Sequence, residues 1–169
     1  MGSEGLSTVR VLLCALLFAM YLVPIRPAIA INLNNSEITN VENLLKAKKY
    51  TDADSKALLL LEQALQQQYL SADAFSTLGQ LLQNASRFEV SKAIFNAALE
   101  RYTAEGNLDK IASTLLQLAT SERNLSNYST AMTYVRRAMS IAQIEQDDLL
   151  KARLNLELGI IHQDQGEIE

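Results

Sequence analysis

Proline is missing from everything after Pro27, and the only other one is Pro24. The residue that most strongly breaks helices is thus absent from nearly the whole chain, and long uninterrupted helices are allowed there. Tryptophan is absent too, and aromatic residues make up 6% against 49% hydrophobic residues overall. That balance suits Leu- and Ala-rich helices rather than strands. The single cysteine, Cys14, falls in the first thirty residues, so the remainder has no disulfide framework and is held by packing alone. His162 is the only histidine, with Gln163 and Asp164 beside it. A metal site or general base needs a second histidine or a positioned acid or nucleophile, so His162 reads as a side chain on a helix. No Gly-rich phosphate loop occurs, and the carboxylates do not recur at metal-loop spacing. The composition gives no catalytic residue, no metal site and no cofactor. Basic residues are also in the minority. The formal net charge is −4, and without Glu4, Arg10 and Arg26 it becomes −5. Such a surface argues against nucleic acid as principal ligand, because phosphate binding needs a basic patch.

The chain opens with a three-part pattern. Residues 1–10 are polar and end in Arg10, Val11 to Val23 form a 13-residue apolar run, and Ala28-Ile29-Ala30 offers small residues for cleavage. This is the layout of a secretory signal peptide, so residues 1–30 are expected to be removed and the protein exported, to the periplasm or beyond. Thirteen helical residues at about 1.5 Å each are too short for a hydrocarbon core of about 30 Å, so no stable membrane insertion is expected after cleavage. Residues 31–37 are Asn-rich and are expected to form a linker.

From residue 38 onward, apolar residues recur at helical spacing. The clearest stretch runs from Ala72 to Glu100: Phe75, Leu78 and Leu82 fall on one face, Asn84 to Arg87 break the pattern, and Phe88, Phe95, Ala98 and Leu99 form a second face. Two amphipathic helices joined by a tight turn are expected. Placing Gly79 over Ala119 and Gly159 gives two steps of 40 residues (119 − 79 and 159 − 119), and the same steps carry Phe88 onto Tyr128 and Ile168. A fixed period of this size signals a solenoid of stacked helix pairs. An earlier pair is expected over Ile38–Lys49 and from Asp54, with a break at Tyr50-Thr51-Asp52. A later one runs over Leu108–Leu125 and Tyr128–Gln146. Asp147-Asp148 would cap a further helix, Leu149–Gln163, before a turn at Gly166. Gly79, Ala119 and Gly159 are expected where one helix approaches its neighbour closely.

At these residues the chain resembles the tetratricopeptide repeat family. Phe75, Leu78-Gly79, Phe88, Ser91, Phe95 and Ala98 match its pattern in one repeat, and Leu115, Leu118-Ala119, Tyr128, Ala131, Val135 and Ala138 in the next. The first repeat is weaker, with Leu45 at the small-residue position, and Glu122 stands where an aromatic is usual. The resemblance implies an all-α fold, a right-handed superhelical solenoid of antiparallel helix pairs. Residues 38–169 would hold about three and a half repeats, the last incomplete, of a long variety of about 40 residues.

It also implies a site. In this family the first helix of each pair lines the concave side and holds peptides. Carried over, the groove residues are Thr39, Glu42, Lys46 and Lys49, then Asp73, Ser76, Gln80 and Gln83, then Ser113, Leu116, Thr120 and Arg123, then Arg153, Leu156, Ile160 and Gln163. Arg123 and Arg153 would meet a partner's carboxylates, while Leu116, Leu156 and Ile160 would offer apolar contact. Two roles follow from the resemblance. One is a non-catalytic exported scaffold with a protein or peptide partner. The other is the N-terminal interaction region of a larger exported enzyme, for instance a caspase-like protease, since the pattern stops in mid-repeat.

Overall fold

The computed structural model describes residues 27–67 and 70–166. Seven helices follow one another, with no strand among the described residues: α1 (Pro27–Lys46), α2 (Tyr50–Gln67), α3 (Ala72–Asn84), α4 (Phe88–Glu105), α5 (Leu108–Asn124), α6 (Tyr128–Ile144) and α7 (Asp148–Asp164). Each packs on its neighbour in sequence from α3 to α7, and α2 also meets α4, α3 meets α5, and α5 meets α7. An ion pair of 2.6 Å between Lys56 and Glu37 joins α2 to α1. With connections this short, consecutive helices are antiparallel. The result is the expected all-α stack of helix pairs, within a compact unit spanning Asn32–Glu169.

Turn chemistry sets the repeat. Every described connection except the one before α3 passes through a residue in the left-handed region: Lys48, Ser86, Gly106, Ser126, Gln146, and Gly166 after α7. Around Ser86 the bonds are Ser86 N–H to the Gln83 carbonyl and Arg87 N–H to the Leu82 carbonyl, and the same pair recurs from Ser126 and Asn127 to Arg123 and Glu122. This is the Schellman closure, which satisfies the last carbonyls of a helix and reverses the chain. Ser86, Ser126 and Gly166 lie at 40-residue steps (126 − 86 and 166 − 126), as do Gly106 and Gln146. The first helices of the pairs, α3, α5 and α7, start with side-chain caps: Ser71 Oγ accepts from Ala74 N–H at 3.1 Å, Asn107 Oδ1 from Lys110 N–H at 3.1 Å, and Asp147 Oδ1 from Leu150 N–H at 2.9 Å.

A left-handed serine carries a steric cost that glycine avoids. Ser126→Gly is therefore expected to raise stability by about 0.5–1 kcal/mol, the glycine's extra chain entropy in the unfolded state offsetting part of the gain. Urea melts of the two proteins measure it, and no gain would place the strain elsewhere.

One apolar cluster runs through the pairs, from Val41 through Phe75, Leu82, Ile94, Leu115 and Val135 to Leu154 and Ile161. The helices approach closely at Gly79. A Cβ built there would lie 2.7 Å from Cε1 and 2.8 Å from Cδ1 of Phe95, and the Ser91 hydroxyl donates to the Gly79 carbonyl at 2.9 Å. The expected close approach is present here. At Gly159 it is not: a Cβ would meet nothing within 4 Å, and no described element covers that position.

The first pair departs from expectation in three ways. Residues 31–37 are helical rather than a linker, because α1 begins at Pro27, whose fixed φ suits a first helical position. The break falls at Ala47–Lys49, not at Tyr50–Asp52, since Lys48 adopts the left-handed turn. Aligning Lys48 with Ser86 shifts the repeat by 38 residues (86 − 48), which brings Val41, not Leu45, onto Gly79 (79 − 38) and Ala57 onto Phe95 (95 − 38). Val41 and Ala57 are both fully buried, whereas Leu45 is half-buried. Of the expected leader, only Pro27–Ala30 lie among the described residues, as the first turn of α1. The apolar run Val11–Val23 and the expected Ile168 position lie outside the described residues.

Candidate partner-binding face

The expected groove residues sit on α3, α5 and α7, but they do different things. Gln80, Arg153, Leu156 and Gln163 are exposed, and Ser76, Thr120 and Ile160 are half-buried. Thr120 turns its hydroxyl onto the Leu116 carbonyl of its own helix at 3.1 Å. Leu116 is only 5% exposed and belongs to the core, so the apolar contact expected of it is made inside the chain. In the first pair, Thr39 and Lys46 are exposed on α1, Glu42 is half-buried and pairs with Lys46 at 2.6 Å, and Lys49 lies in the turn.

Gln83 and Arg123 are committed to neighbouring repeats. Gln83 Nε2 donates to the Gln117 carbonyl and to Ser121 Oγ, each at 2.9 Å, tying α3 to α5. Forty residues on, Arg123 Nε donates to Glu157 Oε1 at 2.9 Å and Nη1 to Asp164 Oδ2 at 3.1 Å, tying α5 to α7. Gln117 and Glu157 are themselves one repeat apart, so both ties occupy the same place in successive repeats. The Arg123 side chain is 17% exposed and that of Glu157 9%. Burial opposes the Arg123 charge, but the bonds and charges of Glu157 and then Asp164 outweigh it and raise its pKa. Arg123 therefore serves the stack where a role toward a partner's carboxylates was expected. Both ties span 34 residues, but Gln83 bonds a backbone carbonyl and Arg123 a carboxylate, so no residue pattern in the sequence marks them.

Other polar groups on this side are also tied. Tyr102 Oη donates to Asp73 Oδ1 at 2.6 Å, and Lys110 Nζ lies 3.3 Å from the same oxygen. The Tyr102 bond, then Lys110, holds the Asp73 carboxyl below its usual range, while burial first and Asp73 second push the Tyr102 hydroxyl up. Buried Glu122, unusual at its position, accepts from Asn127 Nδ2 at 2.7 Å and lies 3.7 Å from Lys92 Nζ. Arg101 anchors α4 to the end of the first pair, donating to the Leu70 and Ala64 carbonyls and lying 5.1 Å above the Phe75 ring. His162 is half-buried on α7. No group of three or more His, Cys, Asp or Glu side chains among the described residues is placed to hold a metal ion, and no described helix is long and apolar enough to cross a membrane.

Outside the first pair, where Thr39 and Lys46 are exposed, the expected groove residues that are neither buried, nor bonded to another repeat, nor turned onto their own helix form a narrower row than the spacing implied: Ser76 and Gln80 on α3, and Arg153, Leu156, Ile160 and Gln163 on α7. It offers amides, one guanidinium and two aliphatic groups, chemistry suited to holding a peptide or protein surface. No curated protein matches the chain. The family model described as tetratricopeptide repeat matches residues 70–144, the segment that holds α3 to α6. That match and the neighbour-to-neighbour packing of the helices together support a tetratricopeptide repeat protein.

Proposed function

We propose that this protein is a non-catalytic exported scaffold that holds a protein or peptide partner along the first helices of its repeats. The carrying observation is the match of residues 70–144 to a repeat whose general role is protein–protein interaction. Export rests on the polar start, the apolar run of residues 11–23 and the small residues at 28–30. The repeats belong to the long variety, of about 40 residues, a reading supported by the spacing of the left-handed turns. The docking row is Ser76, Gln80, Arg153, Leu156, Ile160 and Gln163; Gln83, Leu116 and Arg123 hold the stack upright beneath it.

The test is site-specific crosslinking. A photoreactive residue at Gln80 or at Arg153 is expected to trap one shared partner in the exported fraction, and the same residue at exposed Arg137 on α6 is expected to trap none. Equal labelling from all three positions would remove the groove from the role. Recovery of the protein only from the cytoplasm, still starting at Met1, would remove export.

A further inference from the structure

We propose that Gln80, Asn84 and Gln117 form a neutral amide site on the α3–α5 face that holds an extended peptide segment by its main chain. The proposal rests on the groove reading and adds Asn84 and Gln117 to it. Gln80 and Asn84 are exposed on α3, Gln117 is half-buried on α5, and among the described residues none of these three side-chain amides has a hydrogen-bond partner. The two helices stand side by side here, since Gln83 Nε2 donates to the Gln117 carbonyl at 2.9 Å. The same positions elsewhere in the stack are closed. On α1 the equivalents of Gln80 and Asn84 are Glu42 and Lys46 (80 − 38 and 84 − 38), which pair with each other at 2.6 Å. On α5 they are Thr120 and Asn124, which donate to the Leu116 and Thr120 carbonyls of their own helix at 3.1 and 2.8 Å. The equivalents of Gln117 are settled likewise: Thr39 and Thr77 bond the Asn35 and Asp73 carbonyls, and Glu157 accepts from Arg123. Only at the α3–α5 step are polar groups at these positions left open.

The chemistry selects the occupant. A side-chain amide offers donors and an acceptor without charge, which is the complement of a peptide group. A helical partner spends its main chain within itself, so only an extended segment presents free N–H and C=O groups. Gln80 and Asn84 stand one helical turn apart, about 6 Å, and main-chain groups on one edge of an extended chain recur at about 7 Å, so both amides reach one segment. A phosphate-bearing ligand would need an unengaged cation, but Arg123 is held by Glu157 and Asp164, and Lys110 by Asp73. A sugar ring would need an aromatic surface to lie on. Phe75, the one aromatic residue of α3, is fully buried, and α5 has none. Binding of this kind draws its affinity from the peptide main chain and tolerates many side chains.

An array of random short peptides tests the site, each printed in ordinary form and again with every second main-chain amide N-methylated, and probed with the purified, fluorescently labelled protein. Binding to many unrelated ordinary peptides is expected, and binding at least about tenfold weaker to their methylated copies. Gln80→Ala with Asn84→Ala is expected to weaken the ordinary set by a similar factor, with an unchanged thermal melt because both side chains are exposed. Gln80→Glu with Asn84→Lys, which installs the Glu42–Lys46 arrangement on α3, is expected to do the same by closing the site on itself. A strict side-chain consensus, indifference to N-methylation, full binding by both double variants, or no binding at all would each overturn the main-chain site. Crosslinking from Gln80 and Arg153 that still traps a shared partner would then leave the groove reading in place without it.

Discussion

Gly79→Leu is expected to destabilise the protein by about 3 kcal/mol, the upper part of the range for overpacking a filled core. The reason is local and can be traced atom by atom. A Cβ alone would sit 2.7 Å from the Phe95 ring, well inside contact distance, and Phe95 is fully buried, so its ring has no solvent side to swing toward. Gly79→Ala carries a smaller expected loss, about 1 kcal/mol net, because alanine's better helix propensity offsets part of the clash. A sharper test comes from the molecule's own solutions to the same crossing. One repeat later the paired positions hold Ala119 and Val135, and in the first pair Val41 and Ala57, all of them buried. Where one helix supplies bulk, the other supplies space. Gly79→Ala combined with Phe95→Val recreates the Ala119–Val135 combination, so the two losses should fall short of additive by about 1–2 kcal/mol in a double-mutant cycle. Strict additivity would mean that the two side chains do not share this space and that the crossing is set elsewhere.

The same comparison explains which parts of the fold could be read from residues alone. The second and third pairs were legible because their small residues, turns and caps all fall at one interval: Gly79 and Ala119, Ser86 and Ser126, Gly106 and Gln146. Local preference and global packing agree there, and agreement across levels is what makes a sequence readable. The first pair lies one helical turn from where spacing alone places it. There the crossing is reversed, with the larger Val41 on the first helix and the small Ala57 on the second, so no small residue on the first helix marks the register and the pattern falls on Leu45 instead. Lys48, a residue with no turn signature, adopts the left-handed conformation that would have fixed the register. Gly159 falls at the same interval, but the helix that would meet it lies beyond Gly166, outside the described residues. Exposure along the first helices is only half legible. Gln80 and Arg153 can be placed from spacing, but Gln83 and Arg123 share their helix face and differ only in having a partner on the next repeat, a tertiary fact no periodicity contains.

Arg123→Ala is expected to cost about 3 kcal/mol and to loosen α7 from the stack. Its guanidinium holds two carboxylates, Glu157 and Asp164, across the α5–α7 contact, and of these Glu157 is nearly buried, with 9% of its side chain exposed. Removing the cation leaves that carboxylate without its counter-charge in a site that water scarcely reaches, and the loss of one partner from a buried pair is dominated by this uncompensated charge. Asp164 lies further out and contributes in the range of surface pairs, well under 1 kcal/mol. The pair therefore separates from its parts: Arg123→Met with Glu157→Leu removes both charges and fills the space, and is expected to recover most of the stability lost in Arg123→Ala. Amide exchange gives the spatial reading. In Arg123→Ala, protection should fall in α7 (Asp148–Asp164) while α3 and α4 keep theirs, because a stack of repeats is coupled mainly between nearest neighbours. Uniform loss across all seven helices would show instead that the unit unfolds as one block and that Arg123 supports the whole of it rather than its last joint.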